Sequence, residues 1–195
     1  MILSDREIRA ALNKGTVRIT PLPSVDSWSS TALDLRLDGQ LSYWDPPLDS
    51  GAPVLFSPHD PDYDYATLAA QYARPATISD AGYVLPPQSF LLGWTIEKLQ
   101  LPHQSRLAAR VEGKSSLARL GIGVHVTAPT IHSGFGYTGD PNHLGSPIQL
   151  EIWNIGSLSI VLKKEMRICQ LIFEFVDGTP EKGYAGRFNI QGPAT

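Results

Sequence analysis

The sequence predicts a mainly β, single-domain fold, a barrel or sandwich covering residues 1–195. Three observations predict it: short alternating apolar runs recur along most of the chain, glycine- and proline-rich turns separate them, and only brief stretches show helical periodicity. The 17 glycines and 16 prolines punctuate those runs, and a chain of 195 residues buries a substantial single core without a second domain.

The first element is the exception. "SDREIRAALNKG" predicts a short helix, with Ser4 and Glu7 at capping-box spacing, Ile8, Ala11 and Leu12 on one stripe, and Gly15 as the stop. "TVRIT" and "TALDLRLDGQLSYW" then alternate, Leu33, Leu35 and Leu37 on one face and Asp34 and Arg36 on the other. Residues 45–63 are rich in proline and aspartate and predict an exposed excursion, with a weak helix following at "YATLAAQYA". Strands are expected at "SFLLGWTIEKLQLP", "RLAARVEG", "GIGVHVTA", "IQLEIWN", "LSIVLKK" and "MRICQLIFEFV". Between two of them "HSGFGYTGDPNHLGSP" is a long loop, and the tail "TPEKGYAGRFNIQGPAT" lacks periodicity and is expected to be irregular unless something binds it.

Composition narrows the function. A net charge of −3 disfavours a general nucleic-acid or anionic-membrane surface, although a local basic pocket remains open. The single cysteine, Cys169, sits in an apolar run and reads as a small buried hydrophobe, which suits a reducing cytoplasm. No apolar run approaches membrane-spanning length, and the N-terminus lacks a signal-like stretch. A cytoplasmic, soluble protein is the expectation.

"VEGKSSLARLG" concentrates Lys114, Ser115, Ser116 and Arg119 behind Gly113. A P-loop would need glycine five positions before Gly113, where this chain has Ala108. The five histidines show no close pair at zinc spacing, and zinc deaminases need a cysteine pair that is missing here. By spacing alone the cluster is either an N-capped surface helix with two incidental cations or a compact anion-binding turn. Glu151, between Leu150 and Ile152, is either a solvent-facing strand residue or a positioned proton carrier. The tail is either inert or a lid.

"RVEGKSSLARLGIGVHVTA", followed by "IHSGF", "LEIWNIG" and "LKKEMRICQLIFEF", resembles the dCTP deaminase family, sister to the trimeric dUTPases. "MILSDREIRAALNKGTVRITP", "SSTALDLRLDG", "FLLGWTIEKLQLP" and "YAGRFNIQGP" extend the resemblance over most of the chain, most weakly across residues 45–80. It implies a distorted, jelly-roll-like β-barrel of the dUTPase type. It further implies a homotrimer with active sites shared between neighbours, and hydrolysis of dCTP to dUTP and ammonia without zinc, magnesium accompanying the triphosphate.

The resemblance makes Glu151 the catalytic base and acid, with Ser115 and Arg119 beside it. Without a metal to acidify water, a base must take the proton as water attacks C4 and return protons to N3 and the leaving amine. Lys114 and Ser116 would join in gripping phosphates through hydroxyl, backbone and cationic donors. Backbone groups near Ile148 and Gln149 would read the cytosine edge, Ala128 would keep that pocket tight, and Phe135 would pack on the sugar. His125 and Thr127 would line the same region. Tyr184, Arg187 and Gln191, in a lid spanning about 177–195, would close over the phosphates.

Three features depart from the family pattern: His132 stands where the family has aspartate, the segment 136–147 is an insertion, and Gly183 replaces a lysine before Tyr184. The aspartate orients the attacking water in dUTPases, so its replacement argues against dUTP hydrolysis; a neutral imidazole also offers a sugar hydroxyl fewer acceptors. The competing readings are a deaminase of altered preference, a bifunctional deaminase and dUTP diphosphatase, and a non-catalytic dNTP-binding trimer.

Overall fold

The computed structural model describes residues 1–47, 54–124, 128–186 and 188–192. It opens on helix α1 (Asp5–Asn13), begun by Ser4, whose backbone N–H donates to Glu7 Oε2 at 2.9 Å, and ended at Gly15 with φ +69°. Ile8 is buried and Ala11 and Leu12 pack against the core, so the expected apolar stripe is the face that docks.

Among the described residues eleven strands form, most of them where the alternation predicts. β1 (Arg18–Thr20), β2 (Leu33–Trp44), β3 (Ala73–Thr77), β4 (Tyr83–Leu85), β5 (Ser89–Gln100) and β6 (Leu107–Gly113) precede the middle of the chain. β7 (Ile122–Val124), β8 (Thr130–Ile131), β9 (Ser146–Asn154), β10 (Ile160–Leu162) and β11 (Arg167–Phe175) complete them. Two further helices interrupt the strands, α2 (Tyr65–Tyr72) and α3 (Ser115–Ala118). β3, β4 and β8 were not expected from the sequence. β3 carries Pro75 and pairs only with β2, an edge position where the missing N–H does little harm.

Nine strands form one antiparallel sheet, with the path β7-β9-β5-β2-β11-β6-β8 and β1 and β3 attached to β5 and β2. β4 and β10 form a separate pair. β7 ends that path and β6 lies one strand short of its other end, yet residues 114–121 alone join them, four of them wound into α3. The sheet curls into a half-barrel, which brings these strands within reach of that helix-shortened link. The expected mainly β, barrel-type architecture is what forms.

The concave face holds the core. Leu33, Leu35 and Leu37 of β2 meet Ile148, Leu150 and Ile152 of β9 and Leu171 and Phe173 of β11, all of them buried. Cys169 is fully buried there and burial pushes its thiol well up, so it behaves as the expected small hydrophobe. One charge is buried with the core: Glu97 of β5 is 1% exposed and accepts from the N–H (2.8 Å) and Nε (2.7 Å) of Arg36. Because β9 alternates strictly, Leu150 and Ile152 facing inward force Gln149 and Glu151 to the opposite face. That alternation builds the site.

Candidate active site

Glu151 projects from β9 opposite Leu92 of β5, and Gln149 opposite Trp94. Together with His132, Phe135 and Ala128 they line a pocket of about 480 Å3. Phe135 is buried at the body of the protein, its carbonyl held by the Leu101 N–H at 2.9 Å, while His132 and Ala128 stand exposed. Five residues expected from the sequence thus meet around one cavity, and Glu151 is half-buried within it.

The tail closes this pocket. Its described residues form neither helix nor strand, as the lack of periodicity implied, yet they are tied down at several points. The Tyr184 N–H donates to Ser133 O at 2.8 Å, and the Tyr184 ring stacks on His132 at 5.2 Å and 30°. Gly134 permits that approach: its φ is +104°, and a Cβ there would lie 2.3 Å from the Tyr184 nitrogen. Further on, the Gly136 N–H reaches Asn189, and the Gln191 backbone N–H donates to Ser146 Oγ. Gly136 and Ser146 bracket the insertion, so its two ends seat the tail.

Gln191 reaches deepest. Its side-chain Oε1 accepts the backbone N–H of Gln149 at 2.7 Å, the group expected to read a base edge. The neighbouring amide is committed elsewhere, since the Ile148 N–H donates to Thr95 Oγ1 at 2.9 Å and the Ile148 side chain is buried. Tyr184 and Gln191 therefore do lie over the Glu151 pocket; Arg187, like His125 and Thr127, falls outside the described residues.

Lys114, Ser115, Ser116 and Arg119 do not join them. α3 begins at Ser115 as expected, with Lys114 as its N-cap residue, and its first N–H groups precede any intrahelical acceptor. Lys114, Ser115 and Ser116 line a second cavity that shares no residue with the first, and Arg119 is exposed. Lys114 is not held in readiness as an isolated charge: its Nζ lies 2.5 Å from Asp34 Oδ1, with Arg167 4.0 Å from the other oxygen. Within one chain, the Gly113–Arg119 turn and the Glu151 carboxylate line separate cavities.

Several pocket residues were not foreseen. Trp44, Tyr65, Phe90 and Phe188 wall the cavity, Tyr65 meeting Trp44 edge-on at 6.1 Å and Phe188 edge-on at 5.4 Å. Tyr65 and Gln149 line the same cavity. Burial pushes the Tyr65 phenol up, with the charges of Tyr63 and Glu151 adding to the effect. The available signal was composition: the excursion and α2 carry Phe56, Tyr63, Tyr65 and Tyr72, an aromatic density that an idle solvated loop does not need. Among the described residues no group of three His, Cys, Asp or Glu could hold a metal ion, and no helix is long and apolar enough to cross a membrane.

The profile of the dCTP deaminase-like family matches residues 2–176. A dUMP-forming dCTP deaminase from Methanosphaera stadtmanae is 34% identical over 183 residues, 94% of this chain and 83% of the relative. A dCTP deaminase from Shewanella sp. (strain W3-18-1) is 35% identical over 192 residues, 98% of this chain and 92% of the relative. In three dimensions the chain is similar to the 2′-deoxycytidine 5′-triphosphate deaminase of Agrobacterium tumefaciens, with a TM-score of 0.63 at 23% identity. That similarity covers 89% of this chain but 48% of the other, and it establishes the fold. With the family profile spanning the whole curled sheet and both sequence relatives matching nearly end to end, the chain belongs to the dCTP deaminase-like family.

Proposed function

We propose that this chain deaminates dCTP, converting dCTP and water to dUTP and ammonia with Glu151 as the proton carrier. The observation that carries the reading is Glu151 itself: a half-buried carboxylate set by strand alternation into a pocket, in a chain of this family. Water attacks C4 of the cytosine while Glu151 takes its proton. Glu151 passes that proton to N3, takes the second from the new C4 hydroxyl and delivers it to the amine, and the C4–N bond breaks to leave the C4 carbonyl and ammonia. Ser115 holds the water or the developing tetrahedral centre, and Arg119 stabilises the charge beside it.

The two half-sites call for a second subunit. Among the described residues lining the Glu151 pocket there is no lysine or arginine, whereas a triphosphate brings several negative charges. In a homotrimer the Gly113–Arg119 turn of one subunit completes the pocket of its neighbour, with Ser116 and Lys114 donating to the phosphates. Magnesium enters as the counter-ion of the triphosphate, held by the substrate. His132 and Phe135 face the sugar, Ala128 bounds the base, and Tyr184, Arg187 and Gln191 form the cover. Because the Gln191 carboxamide occupies the Gln149 N–H, a base that reads this group displaces it, and the tail opens before it closes again. A soluble, cytoplasmic enzyme of deoxynucleotide supply fits this chemistry.

Incubation with dCTP, dUTP, CTP and dCMP plus magnesium, measuring ammonia and pyrophosphate separately, tests the reading. Ammonia from dCTP without pyrophosphate is expected; no ammonia from any of the four overturns it. A second reading is favoured by relatives described as dUMP-forming: a chain that also releases pyrophosphate. His132, in place of the aspartate that orients water in dUTPases, supports the dUTP-releasing reaction instead, and pyrophosphate formation would reverse that conclusion.

A further inference from the structure

Two segments where the family resemblance is interrupted or weakest converge on the tail. One is the insertion, whose ends at Gly136 and Ser146 hold Asn189 and Gln191. The other is the excursion with α2, which delivers Tyr65 to the opposite wall of the pocket. Tyr65 is where these pieces join. Its ring stands edge-on to Phe188 of the tail at 5.4 Å and to Trp44 at the end of β2 at 6.1 Å, so it links the cover to the sheet. It lines the same pocket as Gln149, which lies two residues along β9 from Glu151 on the same face. α2 is fixed for this task by Asp64, whose Oδ2 accepts from the Thr67 N–H at 2.8 Å.

We propose that Tyr65 is a positioning residue of the deamination site: its ring latches the closed tail through Phe188, and its hydroxyl fixes the Gln149 side chain beside Glu151. The inference rests on the deaminase reading for its kinetic consequences and on the tail contacts alone for its structural ones. Ring and hydroxyl act on different quantities. Losing the latch weakens closure and so raises KM; losing the hydroxyl leaves the latch in place and lowers kcat.

Three variants separate these effects. Tyr65→Phe keeps the ring, Tyr65→Ala removes both functions, and Phe188→Ala breaks the latch from the tail side without touching α2. Each is assayed for dCTP turnover and for trypsin cleavage after Lys182, which reports tail release independently of chemistry. Phe188→Ala is expected to raise both KM and the cleavage rate about threefold to tenfold, with kcat within about twofold of wild type. Tyr65→Phe is expected to lower kcat about threefold to tenfold, with KM and cleavage within about twofold. Tyr65→Ala should show both changes. The proposal is overturned if Phe188→Ala and Tyr65→Ala cleave at the wild-type rate, or if Tyr65→Phe releases the tail as fully as Tyr65→Ala. Should the wild-type chain release no ammonia, the deaminase reading fails, and the cleavage ratios still decide whether Tyr65 latches the tail.

Discussion

The β9 pocket and the Gly113–Arg119 turn are built on opposed principles. The pocket is walled by aromatic rings, roofed by the tail and furnished with one carboxylate; the turn is a four-residue helix with exposed serines and an exposed arginine. Enclosure suits proton transfer, where excluding water strengthens every local interaction. An open, donor-rich turn suits an anion that arrives strongly hydrated and must be caught before it is covered. A single subunit keeps the two apart, and the proposed function joins them only through a second subunit.

The sharpest way to break this comparison is to silence one half. Glu151→Gln is expected to lower dCTP turnover by about 10²–10⁴-fold while leaving the dissociation constant for dCTP within about threefold. Wild-type turnover in this variant would remove the pocket from the chemistry. On the other half, Arg119→Ala is expected to cost roughly 10–100-fold in kcat/KM. Mixing the two defective chains then tests whether the halves come from different subunits: random reassembly restores roughly a quarter of the sites. Complementation that never exceeds the sum of the separate activities would place both halves in one chain.

Smaller effects refine the picture. Gln191→Ala removes the carboxamide that holds the Gln149 N–H, so dCTP should associate about twofold to tenfold faster in stopped-flow experiments that follow tryptophan fluorescence, Trp44 lying in the pocket. A slower or unchanged rate would show that the base does not compete for this amide. Lys114→Met leaves Asp34 with only the more distant Arg167. It should lower stability to urea by about 1–2 kcal/mol, between the values for exposed and buried pairs. No change in stability would free Lys114 for the purely phosphate-binding role its sequence context suggests.

The sequence was most legible where one physical rule acts alone. Alternation in "IQLEIWN" places Glu151 on the face opposite Leu150 and Ile152, and the Ser4–Glu7 box starts α1 where it should. It was least legible where distant segments meet. Nothing near Lys114 announces Asp34, eighty positions away, because cross-sheet neighbours are set by strand order and not by spacing. Spacing also gave no sign of what the Ile148 and Gln149 amides meet: the Ile148 N–H donates to Thr95, and the Gln149 N–H to Gln191. Tyr65 was hidden for another reason. Proline and aspartate around residues 45–63 signal exposure, and the aromatics in the same stretch matter only once the chain folds back over β9.

The clasp between Gln191 and Gln149 has a quantitative consequence. A competitor carried on the same polypeptide acts at a local concentration fixed by its tether, on the order of millimolar for a short flexible connection. Dilution cannot weaken it and no other molecule need be present for it to work. An empty pocket of this design therefore answers weakly to free bases, which have only the amide to gain. It favours ligands whose phosphates bring additional attachment energy from elsewhere, so occupancy becomes a test of whether base and triphosphate arrive as one molecule.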